Sequence, residues 1–338
     1  MSEEIALLTV IDDSGRRTAV KTRYLTRMRI ATKFNDTKTE VVIDYNVTGT
    51  FLPHSRAYTP LLVKILTAQV KKVLLTEMTW PEVRDILKET DVAIIPVGSC
   101  EQHGHHLPLG TDHIQALERC KKIAERVGAV VAPVLYVGLS EHHMGFPGTI
   151  TLSPETLVQV LFEACKSLSK HGFKKIVLFN NHGGNEVTVN FASQKANLEL
   201  DAKVLAIGLD LFYKWTSKLR PPEYIENLDI HAGFEETGVM LILAPDLVNL
   251  AASRKPKMTL PPTLEMWREK LREDPGYIKL FSFRLPPTNT LSDTGSITFL
   301  GNPKEAVEHL DEWRRIEDEM ISSAVKLIME WKKDRDSH

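Results

Sequence analysis

Cysteine is scarce. Cys100, Cys120 and Cys165 are all the chain has, and no two of them form a C-x-x-C pair. An odd count without paired spacing excludes a disulfide framework. Together with an amino end that lacks a signal-peptide pattern, it points to a reducing, cytosolic setting. Long apolar runs are missing too: stretches such as Val92–Val97 fall far short of the roughly 20 residues of a membrane-spanning helix, so no membrane partner is expected. Charge of one sign is also absent. Lys and Arg number 42 against 44 Asp and Glu, and a net charge of −2 gives no field to attract nucleic acid or an anionic surface. Function has to reside in a site. With 338 residues, 43% of them hydrophobic, the chain can bury one large core with an appendage.

The appendage is expected at residues 1–72, where 12 basic residues face 7 acidic ones, against 30 and 37 in the remainder. Val41, Val42, Ile43, Tyr45 and Val47 follow an Asn35-Asp36-Thr37-Lys38 turn signal, so this extension is read as a small antiparallel sheet with solvated basic faces. Residues 73–338 read differently. Short apolar runs alternate with helix-period segments, the pattern of βαβ units and a mostly parallel sheet in an α/β fold. Strands are expected at Val92–Val97, Ala129–Val137, Lys175–Asn180 and Lys203–Leu209. Leu157, Val160, Leu161, Ala164 and Leu168 mark one buried helix face, with Ser153 as cap, Pro154 in the first turn and Gly172 as stop. A last long helix is expected from Asn302-Pro303 through Leu310, Ile316, Met320, Ala324 and Ile328. Residues 245–287 hold 7 of the 18 prolines and are read as a long ordered loop, with no internal repeat anywhere.

Polar clusters follow the expected strands. The densest is Ser99-Cys100-Glu101-Gln102-His103-Gly104-His105-His106 with Asp112-His113. Sites in open parallel sheets gather beyond the carboxyl ends of strands, and Glu101 and His103, two apart, share a side of an extended segment. Mixed carboxylate and imidazole donors suit zinc, manganese or iron; the plain alternative is a solvated polar loop. Asn180-Asn181-His182-Gly183-Gly184-Asn185-Glu186 again follows a strand. No Gly-Lys-Ser/Thr completes a phosphate loop, so His182 is read as a metal ligand and Gly183, Gly184 and Asn185 as room for metal and substrate. His231-Ala232-Gly233-Phe234-Glu235-Glu236-Thr237 heads a helical stretch; Glu235 and Glu236 diverge by about 100°, so one of them faces the site. His142 and His143, ahead of Phe146-Pro147-Gly148-Thr149, read as a substrate-facing loop or a plain surface turn.

Taken together, Pro96-Val97-Gly98-Ser99-Cys100-Glu101-Gln102-His103-Gly104, Leu107-Pro108-Leu109-Gly110-Thr111-Asp112, Phe146-Pro147-Gly148-Thr149, Asn181-His182-Gly183-Gly184-Asn185 and His231-Ala232-Gly233 with Glu236-Thr237 resemble the creatininase family of metal-dependent hydrolases. The resemblance runs from about Thr79 to Gly301-Asn302-Pro303 and leaves the first 72 residues without a counterpart. It implies a Rossmann-like three-layer α/β/α fold, a homohexamer, and two divalent transition-metal ions, Zn or Mn or else Fe, with no organic cofactor. By position, Glu101 and His182 look like ligands of one ion and His103 and Glu236 of the other. Asp112 looks like the bridge and His231 the proton shuttle. Paired cations would generate hydroxide from a shared water at neutral pH, and His231 would protonate the departing atom.

Family members that hydrolyse creatinine carry a tryptophan four residues before the shuttle histidine and a Tyr-Glu after the ligand histidine. Here those positions hold Asn227, Gly183 and Gly184, so creatinine itself is not the expected substrate. The extended amino end leans instead toward the inositol-catabolic branch, which opens cyclic polyhydroxy ketones (dehydro-inososes) to keto acids by C–C hydrolysis. Hydrolysis of a cyclic amide or formamide is the runner-up. Two other classes stay open at this point: a cysteine hydrolase built on Cys100, and a non-catalytic metal-binding or ligand-sensing protein.

Overall fold

All six residues of Val92–Val97 are buried, because a central parallel strand is covered on both faces and has no room for alternation. This computed structural model describes residues 72–333, apart from 217, 221–222, 225–226 and 274–285, together with the backbone of four strands nearer the amino end. The chain divides into two units, residues 1–70 and 71–338. In the first, β1 (Ala6–Ile11) pairs antiparallel with β2 (Arg17–Thr22), and β3 (Arg27–Phe34) with β4 (Thr37–Asp44). The extension is thus two hairpins rather than a single small sheet. Val41, Val42 and Ile43 lie in β4; Tyr45, Val47 and the turn pair Asn35-Asp36 lie outside the described residues.

The second unit opens with α1 (Trp80–Ile86) and is built on β5 (Val92–Val97), β6 (Val130–Val131), β7 (Lys175–Asn180) and β8 (Lys203–Ile207). All pair parallel in the order β6-β5-β7-β8. Helix α2 (Thr111–Val127) leads from β5 to β6, α3 (Pro154–His171) from β6 to β7, and α4 (Glu186–Glu199) from β7 to β8. Ala93, Ile95, Ile176 and Leu178 meet α3 and α4 on one face. On the other, Val92, Ile94, Val177 and Phe179 meet α2, α5 (Leu209–Thr216) and the carboxyl-terminal helix. The chain therefore reverses direction at β5 and β7, the topological switch point whose crevice collects ligands in open sheets. This is the three-layer α/β/α arrangement expected from the sequence.

Local signals explain the elements. Ser153 Oγ accepts the Thr156 N–H at 3.3 Å and Gly172 ends α3 at φ 110°, as their chemistry demands. The strand expected over Ala129–Val137 is shortened to Val130–Val131. Pairing resumes one residue late: Ala132 N–H reaches Ile94 O at 2.8 Å, and Leu135 N–H reaches Pro96 O at 2.9 Å. Past β8 come α6 (Phe234–Leu243) and α7 (Pro262–Glu273). Helix α7 corrects the reading of 245–287 as loop, since Pro262 occupies its first position, where a missing N–H is harmless. The last segment is also split, a 3-10 stretch over Pro303–His309 leading into α8 (Leu310–Lys332).

Helices α2 and α8 are joined by a buried ion pair. Arg119 Nε and Nη2 donate to Glu317 at 3.0 and 2.7 Å, and Arg119 also donates to Asn181 Oδ1. Removing one partner leaves an uncompensated buried charge, so Glu317→Ala is expected to lower unfolding stability by about 3–5 kcal/mol. Urea denaturation measures it, and a loss below about 1 kcal/mol would mean that Arg119 finds solvent.

Candidate metal centre

The loop after β5 and the turn after β7 deliver their side chains to one crevice. Glu101, His103, Asp112 and His182 are each no more than 5% exposed. His103 Nε2 lies 3.3 Å from Asp112 Oδ1 and 3.6 Å from Glu236 Oε2. His182 Nδ1 lies 3.1 Å from Asp112 Oδ2, and its Nε2 3.3 Å from Glu101 Oε2. Asp112 thus stands between the two imidazoles, one carboxylate oxygen toward each. Among the described residues the ion-pair partners of Glu101, Asp112 and Glu236 are histidines, never Lys or Arg.

These atoms are held in place from behind. His103 Nδ1 donates to the Glu101 carbonyl at 3.1 Å and His182 Nε2 donates to the Leu139 carbonyl at 3.0 Å, so His103 Nε2 and His182 Nδ1 are the nitrogens turned toward the carboxylates. Ser99 Oγ donates to Asp112 Oδ2 at 2.5 Å, and Glu236 Oε2 accepts the Ala232 N–H at 2.6 Å. Glu101 Oε2 and His103 Nε2 remain buried without a hydrogen-bond partner. Donor atoms around a tetrahedral ion with bonds of 2.0–2.1 Å sit about 3.3 Å apart, the spacing seen here. Two groups, Glu101-Asp112-His182 and His103-His231-Glu236, bring their donor atoms within 4.8 Å of one another. The residues fit metal.

Electrostatics agree. Burial pushes Asp112 up, yet the adjoining His103 and His182 outweigh it and hold the carboxyl well below its usual range. Burial pulls His103 down, but Asp112 and Glu236 raise it to about 10; His182, likewise buried, is raised by Glu101 and Asp112 to about 9. Burial lifts Glu236 to about 7 against the pull of His103, and lifts Glu101 as well. A pocket that raises its histidines and crowds carboxylates together attracts cations.

The remaining expected residues distribute unevenly. Glu235 turns away to pair with Arg220, while Glu236 faces the cluster, as one helix start can place only one of two neighbours. Accordingly, Glu236→Gln is expected to reduce metal content or turnover far more than Glu235→Gln, by metal analysis and kinetics on both; the opposite ranking would move the ligand by one residue. His231 Nδ1 stands 3.8 Å from Glu101 Oε1, and burial and His103 hold the ring well below its ordinary pKa. His142, His143, His182, Gly183 and Gly184 line a cavity of about 680 Å³ together with Glu101 and Asp112. Asn185 is not brought into it: fully buried, it spends its amide on the Leu139 N–H and the Gly98 carbonyl, each at 2.9 Å. Asn227 also turns aside, its amide donating to the Glu223 carbonyl at 2.8 Å. Of the other nearby histidines, His106 bonds Thr237 Oγ1 at 2.7 Å and His105 is exposed. Burial and Glu101 push the Cys100 thiol up, away from the thiolate a cysteine hydrolase needs.

Sequence reasoning passed over Gln102, whose amide reaches His143, His231 and Gly295. It also missed Asp229, whose carboxylate takes the Phe234 and Glu235 N–H groups at 2.8 and 2.9 Å and so fixes the start of α6. An acidic residue shortly before a helix was the available signal for Asp229; Gln102 had none beyond its place between two ligand candidates.

A doubly wound sheet thus masses carboxylates and imidazoles at its switch point. The chain belongs to the creatininase family, whose model, described as creatinine amidohydrolase, matches residues 76–328. Creatinine amidohydrolase of Pseudomonas putida is 36% identical over 208 residues, 57% of this chain and 80% of that one. The 3-dehydro-scyllo-inosose hydrolase of Thermotoga maritima is 31% identical over 190 residues, covering 54% of this chain and 61% of the relative. A solved creatininase mutant of Zn-Zn type superposes with a TM-score of 0.62 at 28% identity, over 77% of this chain and 98% of that one. Among the described residues no helix is long and apolar enough to cross a membrane.

Proposed function

We propose that residues 73–338 form a dinuclear metallohydrolase domain, with Glu101 and His182 holding one divalent ion, His103 and Glu236 the other, and Asp112 shared between them. The observation that carries this reading is the burial of Glu101 Oε2 and His103 Nε2 without hydrogen-bond partners, in a nest of carboxylates that no Lys or Arg of the described residues neutralises. When bound, the ions would supply Lewis-acid polarisation of a substrate carbonyl and bring the pKa of a water into the neutral range.

The chain's own groups do the rest. His231, anchored by its Nε2–H on the Gln102 carbonyl at 2.8 Å, keeps a bare Nδ1 toward the cavity, where it takes up the proton released by the attacking water and passes it to the departing atom. Burial around the cluster removes competing water and strengthens each of these interactions. His142 and His143 line the cavity as substrate contacts.

The favoured substrate is a small cyclic polyhydroxy ketone of the dehydro-inosose type, opened by C–C hydrolysis to a keto acid, in keeping with the relative of that activity. A cavity lined by Glu186 and His142 offers polar partners for hydroxyls, and Asn227 replaces the aromatic platform that a flat guanidine-like ring would use. Amide hydrolysis is the second reading, favoured by the creatinine amidohydrolase relative. Purified protein is expected to contain close to two zinc or manganese ions per chain and to turn over dehydro-inososes faster than cyclic amides or formamido-pyrimidines. Chelation should abolish turnover and either metal restore it. Faster amide turnover would select the second reading; metal binding without turnover of any of these would leave a ligand-sensing protein. Sedimentation tests the expected homohexamer.

A further inference from the structure

The polarity of one buried amide is fixed by the backbone. Gln102 Oε1 accepts the Gly104 N–H at 3.0 Å, and Gln102 Nε2 donates to the Gly295 carbonyl at 3.0 Å. A flipped amide would set oxygen against oxygen and N–H against N–H. Gly295, at φ 88°, is what lets the side chain in, since a Cβ there would overlap the amide.

From that fixed point the protons of two imidazoles follow. Gln102 Nε2 has one hydrogen left after Gly295, and two ring nitrogens within reach: His143 Nδ1 at 2.9 Å and His231 Nε2 at 3.0 Å. His231 Nε2 also lies 2.8 Å from the Gln102 carbonyl, which can only accept. That nitrogen therefore bears the His231 proton and has no lone pair to offer the amide. The remaining hydrogen goes to His143 Nδ1, which must be bare, and the Thr288 hydroxyl at 2.9 Å is free to rotate to suit it. The His143 proton is left on Nε2, which faces Glu101 Oε1 at 3.4 Å. The two rings stack with centroids 4.2 Å apart and address the same carboxylate oxygen with opposite character.

We propose that Gln102 is a positioning residue that sets opposite tautomers in this stacked pair, so that His231 presents a bare Nδ1 while His143 presents an Nε2–H to the substrate's carbonyl oxygen. His143 is then a hydrogen-bond donor at the reacting centre and not a metal ligand, although its ring lies close enough to Glu101 and His231 to hold an ion. The inference rests on the metallohydrolase reading for the donor's purpose but not for the tautomers themselves.

The test uses the zinc-loaded full chain labelled with [15N]histidine, the His143 signals being assigned by their loss in His143→Gln. Wild type is expected to show a bare Nδ1 and a protonated Nε2 at His143. In Gln102→Glu, where a carboxylate oxygen replaces the donor, the pattern should invert, with kcat reduced about 10²-fold, KM changed less and zinc content unchanged. Gln102→Met, which offers no donor, should give mixed tautomers if the charged variant does not fold. His143→Ala should lose turnover and keep both ions, and His143→Gln, whose amide nitrogen sits near the Nε2 position, should recover part of the rate. Protonation at Nδ1 in the wild type, or loss of an ion in His143→Ala, would overturn the proposal. Absence of metal or turnover in wild type would instead refute the reading it rests on, while the ring signals still decide the tautomers.

Discussion

Asp112→Asn is expected to empty both ion sites at once, taking metal content from about two per chain to near zero and kcat/KM down on the order of 10⁴-fold or more. No other single residue should do both. The reason is position: Asp112 turns one carboxylate oxygen to His103 at 3.3 Å and the other to His182 at 3.1 Å, the two imidazoles assigned to different ions. The amide keeps the volume of the carboxylate and a carbonyl oxygen that can still accept from Ser99 Oγ, so a folding defect is not the expected cause. Metal analysis beside circular dichroism separates the two. Retention of a full complement would remove Asp112 from the bridging position and with it the dinuclear reading.

The second large effect belongs to His231. His231→Gln retains an amide N–H able to reach the Gln102 carbonyl but cannot exchange a proton, so kcat should fall about 10²–10⁴-fold while both ions stay bound. If the ions leave with the ring, His231 is a ligand, consistent with its nearness to His103 and Glu236. If neither rate nor metal changes, the proton travels by another route. The paired measurement separates these outcomes because chemistry and binding are read independently.

Much of this was legible in the residues. Apolar runs marked β5 and β7, and Ser153 and Gly172 bounded α3, because strand burial and helix caps are written in neighbouring residues. The clusters around Glu101, His182 and Glu236 stood out for the same reason. Features that depend on distant partners were not legible. Gln102 takes its meaning from Gly295, 193 positions away, and Arg119 from Glu317, 198 positions away. Helix α7 was hidden by Pro262, which reads as a breaker until its place at the first helical position is known. The strand at Ala129 was overrun in the other direction, since its apolar residues continue past Val131, where regular pairing stops.

The shortness of β6 has a consequence for the cavity wall beyond it. With β6 only two residues long, the stretch carrying His142 and His143 is fastened to its surroundings by isolated bridges, Val97 to Leu135 and Gly138 to Thr151, rather than by a continuous ladder. Between those bridges lies Leu139, whose carbonyl takes the His182 Nε2–H at 3.0 Å, so the length of the stretch is tied to the orientation of that imidazole. A change of length here would be felt at the cavity wall and at His182 together.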